Sequence, residues 1–154
     1  MNIEQTVSAA VAGLRLGGTF TFDELLRSVQ AQRHRRLRVI ELADLDTHDG
    51  LCALWLATDT DDVVLHARTD STLHRQQFIL HELAHMILGH CDGDDCTVDE
   101  ALLPDIPPYT RGRLLRRQDL DSDTEIAAES LADKLAAGIR GSVFAESAFS
   151  EVFG

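Results

Sequence analysis

The segment Phe78-Ile-Leu-His-Glu-Leu-Ala-His-Met-Ile-Leu-Gly-His90 constrains this chain more than any other. It reads H-E-x-x-H on an apolar stretch. Histidines four apart lie about 40° from each other around a helix of 3.6 residues per turn. The imidazoles of His81 and His85 can therefore reach one metal ion from one face. Glu82 lies at the edge of the same arc, where a general base for a metal-bound water belongs. The alternative is a helix with two core-edge histidines in ordinary hydrogen bonds. Two buried imidazoles and a buried carboxylate are costly without a metal or a partner, which favours the metal.

The rest of the chain supplies a scaffold for that helix. Ile3, Val7, Ala10, Val11 and Leu14 have helical spacing over residues 1–16, and Gly17-Gly18 marks a stop. Thr21-x-x-Glu24 has the capping-box pattern and predicts a helix from Phe22 to His34. Strands are predicted at Leu37–Leu42, Leu51–Ala57 and Val63–Ala67, with a polar turn over 44–50 and a hairpin turn over Thr58–Asp62. Asp70 or Ser71 can cap a helix from Thr72 to Leu88, with Gly89 just beyond its end. Residues 91–108 are acidic and contain three prolines, so they read as a long loop, and Tyr109–Gln118 as a short basic helix. Ser122-x-x-Glu125 opens a further helix to Ile139, ended at Gly141, and Val143–Phe153 reads as a short final helix. The expected fold class is α+β. It has one domain of 154 residues: a helical part over 1–35, a core over 36–140 and a C-terminal helix over 141–154.

Composition excludes several classes. Twenty-six acidic residues face 14 basic ones, a net charge of −12, which disfavours direct nucleic-acid binding. Two basic clusters, Arg33–Arg38 and Arg111–Arg117, read as a solvated helix end and a solvated helix face. Three cysteines without framework spacing argue against a disulfide-rich secreted domain. With Glu4 early and no apolar h-region following it, no signal peptide is expected, and the longest apolar run, Leu51–Ala57, is too short to span a bilayer. A cytoplasmic protein without a membrane partner is expected.

A catalytic zinc takes three protein ligands and keeps one position for water. The third ligand must come from outside the motif, from His90, Cys91, Cys96, Glu125 or Glu129. His90 follows the helix end and is expected to turn away. The cysteines sit in a loop and form no Cys-x-x-Cys pair. Glu125 and Glu129 share one helix face with Ala132 and Ala136, small residues that permit close packing. Glu125 could instead cap its own helix, which would leave the metal to Glu129. Spacing leaves both open.

His81-Glu-Leu-Ala-His85-Met-Ile-Leu-Gly-His90, with Glu125-Ile-Ala-Ala128-Glu-Ser-Leu-Ala132 further on, resembles the ImmA/IrrE family of metallo-endopeptidases. That family pairs H-E-L-x-H-x-x-L-G-H with a helix of the form E-x-x-A-(N/D)-x-F-A. The resemblance covers roughly residues 70–140. It implies Glu125 as the third ligand, with Glu129 at a position that can orient a ligand histidine. Ala127 stands where a second glutamate is frequent, and Ala136-Ala-Gly-Ile139 differs from the family's Leu-Leu-Met-Pro ending. The resemblance further implies a zincin-like fold, with a small three-stranded sheet packed on the motif helix. It implies a Zn2+-dependent regulatory endopeptidase with Glu82 as the base. The protein substrate would be one such as a helix-turn-helix, DNA-binding repressor. Tyr109, His74 and Arg111 are candidates for an oxyanion donor. The alternative function is a metal-stabilised module that binds a regulator without cleaving it, within a phage or toxin–antitoxin type pair. A purely structural zinc site is disfavoured, because such sites are usually closed by four ligands and rich in cysteine.

Overall fold

In the computed structural model the described residues are 2–42, 53–89 and 122–153. The elements follow in the order α1 (Ile3–Leu14), α2 (Phe22–Arg33), β1 (Arg36–Leu42), β2 (Ala53–Ala57), β3 (Asp61–Ala67), α3 (Thr72–Leu88) and α4 (Ser122–Phe153). Among the described residues the architecture is α+β: four helices and one small mixed sheet. None of these helices is long and apolar enough to cross a membrane. The expected polar turn at 44–50, the loop at 91–108 and the basic helix at 109–118 lie outside the described residues. So does the second arginine cluster.

Helix starts follow the local chemistry. The Asn2 side chain accepts from Gln5 N at 2.8 Å, and Gln5 Oε1 accepts from Asn2 N in return. Thr21 and Glu24 make the same reciprocal pair on α2. Ser71 rather than Asp70 caps α3, accepting from His74 N at 3.2 Å. Gly89 ends α3 in the left-handed region at φ 71°, and its N–H returns to the last turn.

The sheet order is β1-β3-β2, with β1 parallel and β2 antiparallel to β3. All seven residues of the central strand are buried. Trp55 and Val64 join the helices in one core with Val7, Leu25, Leu83, Ala128 and Leu135, and Leu37 and Val39 pack against it. The opposite face, with Leu54, Leu56, Val63 and Leu65, is buried as well.

Three expectations are corrected here. The turn is shorter than expected, because Asp61 and Asp62 belong to β3 and are buried. Arginines make that burial possible. Arg33 Nε lies 2.6 Å from Asp62 Oδ2 and Arg35 Nε 3.2 Å from Oδ1. Arg36 and Arg38 lie 2.9 and 2.8 Å from Asp61. The Arg36 hydrogen bond is the main reason the Asp61 carboxyl sits below its ordinary pKa. The Arg33–Arg38 cluster is thus mostly a set of counter-ions for buried carboxylates, and Arg36 alone of the four side chains is largely exposed.

The third correction concerns Gly141. The chain does not break there, and a single helix of 32 residues runs from Ser122 to Phe153. The glycines serve packing instead. Gly138 and Gly141 let residues 19–20 lie against the helix, and Phe20 N donates to Gly138 O at 3.3 Å. A Cβ on Gly138 would overlap the Phe20 ring, and one on Gly141 would come within 2.8 Å of Thr19 Cγ2.

Helix propensity favours alanine over glycine by up to ~1 kcal/mol. Overpacking a filled site costs about 1–3 kcal/mol. Gly138→Ala is therefore expected to lower stability. Gly13→Ala, which would meet only Gln32 at 3.5 Å, is expected to raise it. Urea unfolding of the two variants checks the opposite signs, and a stabilised Gly138→Ala would refute the packing role.

Candidate metal centre

Helix α3 divides its surface between core and site. Ile79, Leu80, Leu83, Ala84 and Met86 are buried in the core. His81 and His85 lie one turn apart beside α4, whose inner face carries Ala128, Leu131, Ala132 and Leu135, all fully buried. Small side chains on both helices allow close approach. The first turn of α4 thereby brings Glu125 over the two imidazoles.

The Nε2 atoms of His81 and His85 are 3.2 Å apart. Glu125 Oε2 lies 3.3 Å from His81 Nε2, and its Oε1 lies 3.4 Å from His85 Nε2. Candidate ligand atoms of the three residues all fall within 4.8 Å of one another. A tetrahedral zinc with bonds of about 2.05 Å separates its ligand atoms by about 3.3 Å. The 3.2 Å between the two Nε2 atoms is close to that edge length, and each Glu125 oxygen lies at a similar distance from one imidazole. This His-His-Glu group can hold a metal ion, and among the described residues no fourth His, Cys, Asp or Glu joins it. His81 and Glu125 keep about a third of their side-chain surface exposed, 30% and 35%, so the group is open to solvent on one side.

Of the two glutamates left open by spacing, Glu125 meets the histidines, and Glu129 is exposed and outside the group. Helix α4 starts at Ser122 itself, so Glu125 lies one place beyond the N3 capping position. His74 is exposed and stacks on Phe78, with ring centroids 6.3 Å apart. His90, Cys91, Cys96, Tyr109 and Arg111 lie outside the described residues.

Glu82 is buried between α3 and the sheet. Burial first, and the Glu125 carboxylate second, push its pKa up to about 8, against the pull of a hydrogen bond from the Trp55 backbone N–H. That hydrogen bond is the feature sequence reasoning missed. Its one signal was the run Ala53–Ala57 ending two elements before the motif, which does not specify which N–H faces the helix.

Comparison with protein-family models, with curated proteins and with solved structures finds no match to this chain. The site therefore rests on its own geometry.

The raised pKa of Glu82 sets a pH dependence. Between the ordinary value of 4.5 and about 8 the folded, metal-free protein retains a proton that the unfolded chain releases. Stability from this group is complete at low pH and is lost as pH rises through that window. Glu82→Gln removes the dependence. The variant's advantage in Tm over the metal-free parent should therefore grow from pH 5 to pH 8; an advantage that shrinks over this range would contradict the assignment.

Proposed function

We propose that the protein is a zinc-dependent endopeptidase of the ImmA/IrrE type with a zincin-like fold, acting on a protein partner rather than in bulk digestion. The observation that carries this reading is the convergence of His81, His85 and Glu125 beside a buried glutamate of the same H-E-x-x-H segment. Two neutral imidazoles and one carboxylate are a donor set that suits zinc, and they leave one position for water.

Zinc held there would act as a Lewis acid, lowering the pKa of a bound water toward ~7 and favouring the ionised form of Glu82 beside it. Glu82 takes the proton of the attacking water and returns it to the leaving amine. Its buried setting keeps the carboxylate short of competing solvent. His81 and His85 stay neutral as ligands, and Glu125 contributes the negative charge that balances part of the cation. The net charge of −12 suits a basic partner, and a helix-turn-helix repressor is the partner class that the resemblance suggests.

Zinc content and proteolysis of a co-expressed repressor test the reading together. Glu82→Gln should retain zinc and lose at least ~100-fold in turnover, within the range for a lost general base. Glu125→Gln should weaken zinc binding by more than the roughly 10–100-fold of a lost outer partner, whereas Glu129→Gln should leave it near the parent value. Full zinc occupancy in Glu125→Gln with loss in Glu129→Gln would overturn the ligand assignment. Undiminished cleavage by Glu82→Gln would overturn the role of Glu82.

A further inference from the structure

Helix α3 carries two of the three candidate ligands, and His85 lies in its last turn. Helix ends open more readily than helix centres, because the last carbonyls have no donors within the helix. The end of α3 is closed by donors from two places. The Gly89 N–H donates to both His85 O and Met86 O, the latter at 3.1 Å. The other donor is a side chain from 53 residues earlier: Arg33 Nη1 donates to Met86 O at 3.2 Å. A cation at this end of a helix also suits its dipole.

The aim of that side chain is fixed from the other side. Arg33 Nε lies 2.6 Å from Asp62 Oδ2, and Nη2 lies 3.3 Å from Oδ1. The guanidinium lies over the Trp55 ring, 5.0 Å from the centroid. Asp62 is itself anchored, since Arg35 Nε and Trp55 Nε1 each donate to Oδ1 at 3.2 Å. All three guanidinium nitrogens thus have an acceptor, and with two of them on Asp62 the rigid planar fork directs the third at Met86 O. We propose that Arg33 is a positioning residue for the ligand His85. It caps α3 from the end of α2 and keeps closed the turn that holds this imidazole beside His81 and Glu125. The proposal rests on the reading of these three residues as metal ligands. It gives Arg33 a task beyond balancing Asp62: the buried carboxylate calls for a cation, whereas the contact with α3 calls for a third arm.

A mere tie between α2 and the sheet would leave the end of α3 unaffected when the third arm is lost. Arg33→Lys keeps a charge opposite Asp62, but its single nitrogen cannot reproduce the fork that serves the carboxylate and Met86 O together. Arg33→Met combined with Asp62→Asn removes both charges at once and serves if the lysine variant does not fold. Amide hydrogen exchange of the metal-free full chain is read at Ile87 and Leu88 in the last turn, at Leu80 in the middle of α3 and at Val64 in the sheet. In both variants Ile87 and Leu88 should exchange at least ~10-fold faster, while Leu80 and Val64 stay near the parent rates. Zinc affinity, measured by competition with a chelator, should fall at least ~3-fold, because only the closed turn presents His85. Unchanged exchange at Ile87 and Leu88 in a folded variant, equal acceleration at Val64, or a parent-like zinc affinity would overturn the proposal. A parent protein that takes up no zinc would instead overturn the metallopeptidase reading, and exchange at Ile87 and Leu88 would still decide whether Arg33 closes the turn.

Discussion

The close approach of α3 and α4 is the constraint on which the rest depends. Three donor atoms can share one ion only if Glu125, on one helix, comes within about 3.4 Å of imidazoles on another. Bulky residues between the helices would hold the axes too far apart. Ala84 on α3 and Ala128, Ala132 and Ala136 on α4 are buried in that interface, and Leu83, Leu131 and Leu135 fill the space on either side. The same small residues that allow a short helix-packing distance also let the first turn of α4 come close to α3. The apolar core and the polar site are thus two consequences of one interface.

A second constraint is charge. The chain is strongly acidic and yet buries Asp61 and Asp62 at the start of its central strand. Unpaired, these carboxylates would be among the most costly groups in the molecule. Arg33, Arg35, Arg36 and Arg38 answer them from the end of α2 and from β1. Buried pairs add little net stability compared with apolar residues, but losing one partner is expensive. They sit in the observed register, in which Arg36 pairs with Asp61 and Arg38 with Val63 across the parallel strands.

The sequence made much of this legible because much of it is local. Capping boxes at Asn2–Gln5 and Thr21–Glu24 and the cap at Ser71 act within three residues, and the helix starts agree closely with expectation. The convergence of His81 and His85 follows from helical periodicity alone. What was illegible depends on partners distant in sequence. Arg33 and Arg35 look solvated until Asp62, 29 and 27 residues later, is placed beside them. Gly141 looks like a terminator until Thr19 and Phe20 occupy the space that glycines leave. Glu125 and Glu129 are equivalent by spacing, and only the packing of α4 on α3 separates them, placing Glu125 against the histidines.

Metal-free, the site is an unfavourable arrangement. Two imidazole nitrogens face each other at 3.2 Å, a carboxylate faces both, and a second glutamate is buried beside them. Hydrogen bonds satisfy part of this, since one imidazole can donate to the other or to Glu125, yet the Glu82 carboxyl is still pushed up to about 8. A divalent cation would resolve all three conflicts together, replacing shared protons with a shared ligand and offsetting two negative charges. The core packing of α3 and α4 brings the polar group together, so the ligand set is carried on the same interface that buries the apolar faces of both helices.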